Sequence, residues 1–180
     1  MRPEHQSEGG VEAHWMEHAR IGNRIGRGAS YPAYLGLGEW TCMTLALSVR
    51  QPFAWAIFQA GMDIENRDWP TRQRGRVLIH APAIVRQEDY SIFQQACRNP
   101  EHWLCQAIAI GGGLPQKSEL PRGGIVGEAE IADCVIEHPS PWFTGPYGFV
   151  LRNARMLPFK PLSGAIRFFD VDECPPDKHA

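Results

Sequence analysis

The feature that most constrains this chain is a run of period-two alternation between residues 124 and 136, where Ile125, Gly127, Ala129 and Ile131 alternate with Val126, Glu128 and Glu130. A repeat of two belongs to a strand, because successive side chains leave opposite faces of a pleated backbone. Shorter segments of the same kind flank it. Leu45 to Val49, Ile64 to Arg67, Arg76 to Ala81, Tyr147 to Leu157 and Ala165 to Val171 complete a set of six expected strands. Helical spacing occurs in two places. Phe53, Ala56, Ile57 and Ala60 predict a helix of about two and a half turns that ends at Gly61. Residues 88–109 carry Ile92, Phe93, Ala96 and Cys97 on one face, and Asn99-Pro100 is expected to split that stretch into two helices. Mostly short connections between six strands predict an α+β, mainly β domain built as a closed or nearly closed small barrel.

The patterned region runs from residue 43 to residue 172. Residues 1–42 show no sustained periodicity, and residues 173–180 form a short tail. The first 42 residues are read as a weakly structured extension, and one reading starts the native protein at Met43. The glycines of Ile21 to Gly28 are not read as a phosphate cradle, because no strand precedes them and no Lys-Ser/Thr follows. Five scattered cysteines without a CxxC pair fit reduced thiols and a cytoplasmic location. No apolar stretch is long enough to span a membrane. Cys97, His102 and Cys105 match no standard zinc spacing, and no nucleotide or flavin fingerprint is present, so neither metal nor cofactor is expected.

The net charge of −2 gives no global field toward nucleic acid, so any such binding must rest on a local patch. Between Arg50 and His80, five arginines (Arg50, Arg67, Arg72, Arg74, Arg76) face three acids (Asp63, Glu65, Asp68). On a strand, Glu65 and Arg67 share a face and can pair, which would hold the guanidinium in one orientation. The loop after them supplies Trp69, Thr71, Arg72 and Arg74, a mixture suited to phosphate contacts with a base stacked on an aromatic ring. The same residues have plainer readings: Glu65 and Arg67 as a structural pair, Trp69 as a core plug, and the arginines as a solvated face.

The segments LSxRQPxAW from Leu47, GxDxENRxWxT from Gly61, RGRxxIHA from Arg74 and GxIxGxxxxxDC up to Cys134 resemble, in order and spacing, the ASCH domain. That resemblance covers about residues 45–171. It implies a PUA-like small β-barrel with a helix after the first strand, one or two helices between the third and fourth strands, and a cleft that receives RNA or another nucleic acid. Carried over to this chain, the cleft candidates are Gln51, Glu65, Asn66, Arg67, Trp69, Thr71, Arg76 and His80.

Some relatives are hydrolases of an acylated cytosine nucleoside that use a lysine and a threonine. Met62 and Glu65 stand in those places here, and neither can supply that chemistry. A ribonuclease-like reading would use Glu65 or His80 as acid and base, with Arg67 stabilising charge. A modified-base reader would draw an aromatic cage from Trp55, Trp69, Trp142, Phe143 and Tyr147, and a protein-interaction module is the remaining alternative. Nucleic-acid binding, with RNA as partner, is the expected activity. Arg67→Ala is expected to weaken it while leaving the thermal midpoint nearly unchanged.

Overall fold

The computed structural model describes residues 43–172, so the expectations for residues 1–42 and 173–180, including Cys42 and Cys174, lie outside the described part. Six strands and three helices follow in the order β1 (Met43–Ser48), α1 (Phe53–Gln59), β2 (Ile64–Arg67), β3 (Gly75–Ala81), α2 (Gln87–Ala96), α3 (Trp103–Ile110), β4 (Gly124–Val135), β5 (Tyr147–Pro161) and β6 (Phe168–Asp172). They form one mixed sheet in the order β2-β5-β4-β3-β1-β6, in which only the β1–β3 pair is parallel. The elements fall where alternation and helical spacing put them. α1 stops because Gly61 adopts φ +66, and the Met62 N–H returns to the Ala56 carbonyl. β5 runs further than expected, through Pro158. Beyond Leu151 its only ladder partner is β4, so proline's missing N–H can face the unpaired edge. β6 begins later than expected because Ala165 belongs to a loop tied down by Ser48.

Period two decides what each face of the sheet does. Leu45, Leu47 and Val49 of the first strand segment, with Val77, Ile79 and Ala81 of β3, face the helices in the main core, against Ile57, Phe93, Leu104 and Ile108. The alternate residues Ala46 and Leu78 close a smaller core with Ile125 and Val171 on the opposite face. Ser48 and His80 continue that second set, and they are register partners in the parallel pair.

The sheet is strongly curled but its ladder does not close. β5 and β6 lie four ladder steps apart, which in a flat sheet would be about 19 Å. Yet the Phe149 and Phe168 rings stack with centroids 6.0 Å apart. Trp69, just after β2, meets both rings edge to face at 5.0 and 5.4 Å. The opening between edge strands β2 and β6 is thus filled by side chains, and Arg67 reaches across it to donate to the Ser48 carbonyl at 2.5 Å. The expected barrel is an open, curled sheet closed by packing.

Candidate nucleic-acid interface

Where the strand ends and their loops meet, they enclose a cleft of about 990 Å³. β1 contributes Ser48 and, just beyond its end, Arg50. The end of β2 contributes Asn66, Arg67 and Asp68, and the end of β3 contributes His80, Pro82 and Ala83. Arg86 precedes α2, Gly145 and Pro146 precede β5, and residues 163–167 form the wall before β6. Four guanidinium groups therefore line the cleft against one carboxylate, Asp68.

The four arginines are held differently. Arg67 ion-pairs with Glu65 at 2.8 Å while donating to Ser48 O. Burial pushes the Glu65 carboxyl up, and the nearby Arg67 and Arg50 charges pull the other way. Glu65 does not line the cleft and acts instead as the buried anchor of Arg67. Arg50 pairs with Asp89 at 3.2 Å. No carboxylate pairs with Arg86 or Arg167 among the described residues. Arg167, at φ +68, lays its guanidinium 5.1 Å from the Trp69 ring centroid, a cation–π contact that positions it on the cleft wall.

His80 is buried at the cleft floor, 3 % exposed. Its Nδ1 lies 3.1 Å from Ser48 Oγ and its Nε2 lies 3.0 Å from the Leu162 carbonyl. Burial pushes its imidazole below the usual range, against the pull of the Leu162 hydrogen bond. Gly164 rests directly on the ring, and a Cβ there would come 2.1 Å from His80 Cε1.

Of the residues singled out from sequence, Asn66, Arg67 and His80 come together in the cleft, with Glu65 behind Arg67. Asn66 spends its amide on the turn before β5, donating to Trp142 O at 2.7 Å and accepting from Thr144 N at 2.8 Å. The others lie elsewhere. Gln51 is 1 % exposed, accepts from Trp55 N and donates to Pro121 O. Thr71 accepts from Gln73 N, while Arg72 is exposed on the same loop. Arg74 pairs with Asp133 at 2.6 Å, and Arg76 with Glu128 at 2.6 Å, so carboxylates of β4 neutralise much of the expected basic patch. Glu128 also accepts from Arg155. Burial alone would push its carboxyl up, but the hydrogen bonds from Arg155 and Arg76 hold it below the usual range.

The aromatic candidates are likewise dispersed. Trp69 packs edge to face against the stacked Phe149 and Phe168 rings, and Trp142 packs edge to face on Trp103 at 4.9 Å. Trp55 packs against the main core. None of Trp55, Trp69, Trp142, Phe143 or Tyr147 lines the cleft. Met62 is buried in the main core. The thermal expectation for Arg67→Ala changes as well: removing the guanidinium would strand a buried carboxylate, so the midpoint must fall.

Sequence reasoning missed Ser48, Arg86 and Arg167 as parts of this site. Arg167 lies inside an expected strand, and Arg86 lies ten residues beyond the basic and aromatic cluster that ends at Arg76. The signal for Ser48 was available: it and His80 both sit at strand ends with the same apolar alternation, which becomes adjacency once β1 and β3 pair in parallel.

The strand-end loops of a curled, mainly β domain thus enclose a cleft lined by four arginines. The ASCH domain family model matches residues 47–146, more than half of the chain, and the chain belongs to that family. The family is PUA-like and associated with RNA binding. The match includes Ser48, Arg50, Arg67, His80 and Arg86 but ends before the wall formed by residues 163–167. No curated protein matches the sequence. Among the described residues, no helix is long and apolar enough to cross a membrane, and no cluster of three or more His, Cys, Asp or Glu is arranged to hold a metal.

Proposed function

We propose that this ASCH domain binds RNA in the cleft between the ends of β1, β2 and β3 and the β5–β6 loop, gripping the phosphate backbone with Arg86 and Arg167 in a positive field to which Arg50 and Arg67 add. The observation that carries the reading is the convergence of four guanidinium groups, drawn from four separate stretches of sequence, on one cleft with a single lining carboxylate. Arg86 and Arg167 are the ones left for a ligand, since Arg67 and Arg50 already hold Glu65 and Asp89. The volume suits one or two nucleotides. With no Trp, Tyr or Phe among the lining residues, recognition runs through phosphate and sugar more than through stacked bases. The ring of Trp69 serves the site indirectly, as the platform on which Arg167 rests.

Fluorescence anisotropy with a labelled single-stranded RNA, repeated across salt concentrations, tests this. Each phosphate neutralised on a single strand contributes about −0.7 to the slope of log K against log salt. The double variant Arg86→Ala/Arg167→Ala is expected to flatten that slope by about 1.4 and to weaken binding at every salt concentration. An unchanged slope would remove these two arginines from the interface, and absence of wild-type binding to single-stranded, structured and modified RNA would end the proposal.

A further inference from the structure

The Ser48–His80 pair at the cleft floor has the geometry of a nucleophile beside its base. Ser48 Oγ lies 3.1 Å from His80 Nδ1, and His80 Nε2 lies 3.0 Å from the Leu162 carbonyl. A carbonyl oxygen only accepts, so Nε2 carries the proton, and the neutral ring presents its Nδ1 lone pair to the serine. The Ser48 hydroxyl has two acceptors in reach, Ala165 O at 2.7 Å and Nδ1 at 3.1 Å. Rotation about Cβ–Oγ moves its hydrogen from one to the other without displacing a heavy atom. The ring itself cannot drift: Gly164 lies against it, and Phe169 meets it edge to face at 5.5 Å. Burial keeps the imidazole neutral near pH 7, as a general base requires. Arg67, whose Nη2 is bonded to the Ser48 carbonyl, lines the same cleft and brings a fixed cation beside the serine.

We propose that Ser48 is a nucleophile activated by His80, with the Leu162 carbonyl orienting the ring, and that the cleft hydrolyses a carboxylic ester carried on a nucleotide. The nucleotide part of the substrate rests on the RNA-binding reading; the dyad does not. Ser48 Oγ attacks the acyl carbon as its proton passes to Nδ1, and the oxygen that gains charge faces the Arg67 guanidinium. The ester C–O bond then breaks, and Nδ1 returns the proton to the departing alkoxide. Water attacks the acyl-serine, gives one proton to Nδ1, and releases a carboxylic acid as the C–Oγ bond breaks and Oγ is reprotonated. Only water is consumed. The charged groups lining the cleft are Arg50, Arg67, Asp68, Arg86 and Arg167. Their cationic majority favours an anionic substrate and the neutral form of His80.

The test uses the full chain and a biotinylated fluorophosphonate, followed by digestion and mass spectrometry, alongside turnover of a 2′(3′)-O-acyl adenosine monophosphate. The expected result is an adduct on Ser48 that is absent in Ser48→Ala, with ester hydrolysis lost in the same variant. His80→Gln should slow labelling by about 100-fold or more. Circular dichroism melts establish that both variants are folded. If His80→Gln is not, the pH profile of wild-type labelling replaces it and should fall in acid with a single titration below the ordinary histidine range. No Ser48 adduct and no hydrolysis above the Ser48→Ala background would overturn the dyad, whatever the RNA titration shows. Labelling of Ser48 in a wild-type protein that binds no RNA would support the dyad while removing the RNA-binding reading.

Discussion

Replacing Arg67 by alanine removes the cation from a carboxylate that is itself only 7 % exposed. Breaking one side of a buried pair costs about 3–5 kcal/mol, because the remaining charge is left uncompensated. The Ser48 carbonyl also loses its donor, and with it a tie across the open side of the sheet. At this domain size each kcal/mol moves the midpoint by roughly 3–4 °C, so Arg67→Ala should melt roughly 10–20 °C below wild type at pH 7. The pH dependence follows from the direction of the Glu65 shift. Burial already raises its pKa, and losing the Arg67 charge raises it further. An acid whose folded pKa is raised is most favourable below its unfolded value, and that contribution is lost as pH rises through the folded pKa. The deficit of Arg67→Ala should therefore be smaller at pH 5 than at pH 7, because lower pH favours protonation of the buried Glu65. Adding Glu65→Gln should recover part of it at pH 7. Urea or thermal melts of the four proteins in the cycle at both pH values measure this. A midpoint for Arg67→Ala within about 2 °C of wild type at pH 7 would refute the anchoring argument.

Three further outcomes follow from the same packing. Glu128→Gln should cost about 1–3 kcal/mol, since Arg76 and Arg155 lose the carboxylate between them. Because that carboxyl is held below its usual range, wild-type stability from it is present above the ordinary glutamate pKa and lost as pH falls through the depressed one; the variant should lack that acid limb in a pH series of melts. Gly164→Ala should cost about 1–3 kcal/mol by pushing a methyl into the His80 ring, and amide exchange of residues 162–167 should speed up; an unchanged melt would show that the loop does not rest on His80 as described. Trp142→Ala should cost about 3–5 kcal/mol through loss of its packing on Trp103 and Phe93, yet folded protein at low temperature should keep its RNA affinity, because Trp142 does not line the cleft.

How much of this was legible depends on whether the signal is local. Alternation over Ile64 to Arg67 put Glu65 and Arg67 on one face, and they do pair. The Asn99-Pro100 break split the second helical stretch as expected. Reading the arginines of residues 72–76 as the binding surface failed to foresee their partners, because Asp133 and Glu128 lie about fifty to sixty positions away and meet them only through the β3–β4 ladder and its following segment. The same non-local pairing hid the cleft. Arg86 and Arg167 come from distant stretches, and the strand-end positions of Ser48 and His80, visible in each strand, become one site only once β1 and β3 pair in parallel. Trp142 sits in a proline- and aromatic-rich turn of the kind that often lines sites, but here Trp103 and Phe93 supply a better place for its ring.

The most direct test of the central claim is an RNA titration followed by NMR of the arginine side chains and the histidine ring. The cleft account predicts shifts in the guanidinium signals of Arg86 and Arg167 and in His80, with Arg72, Arg74 and Trp142 unmoved. Shifts confined to Arg72 and Arg74, or none at RNA concentrations that saturate an anisotropy titration, would contradict it.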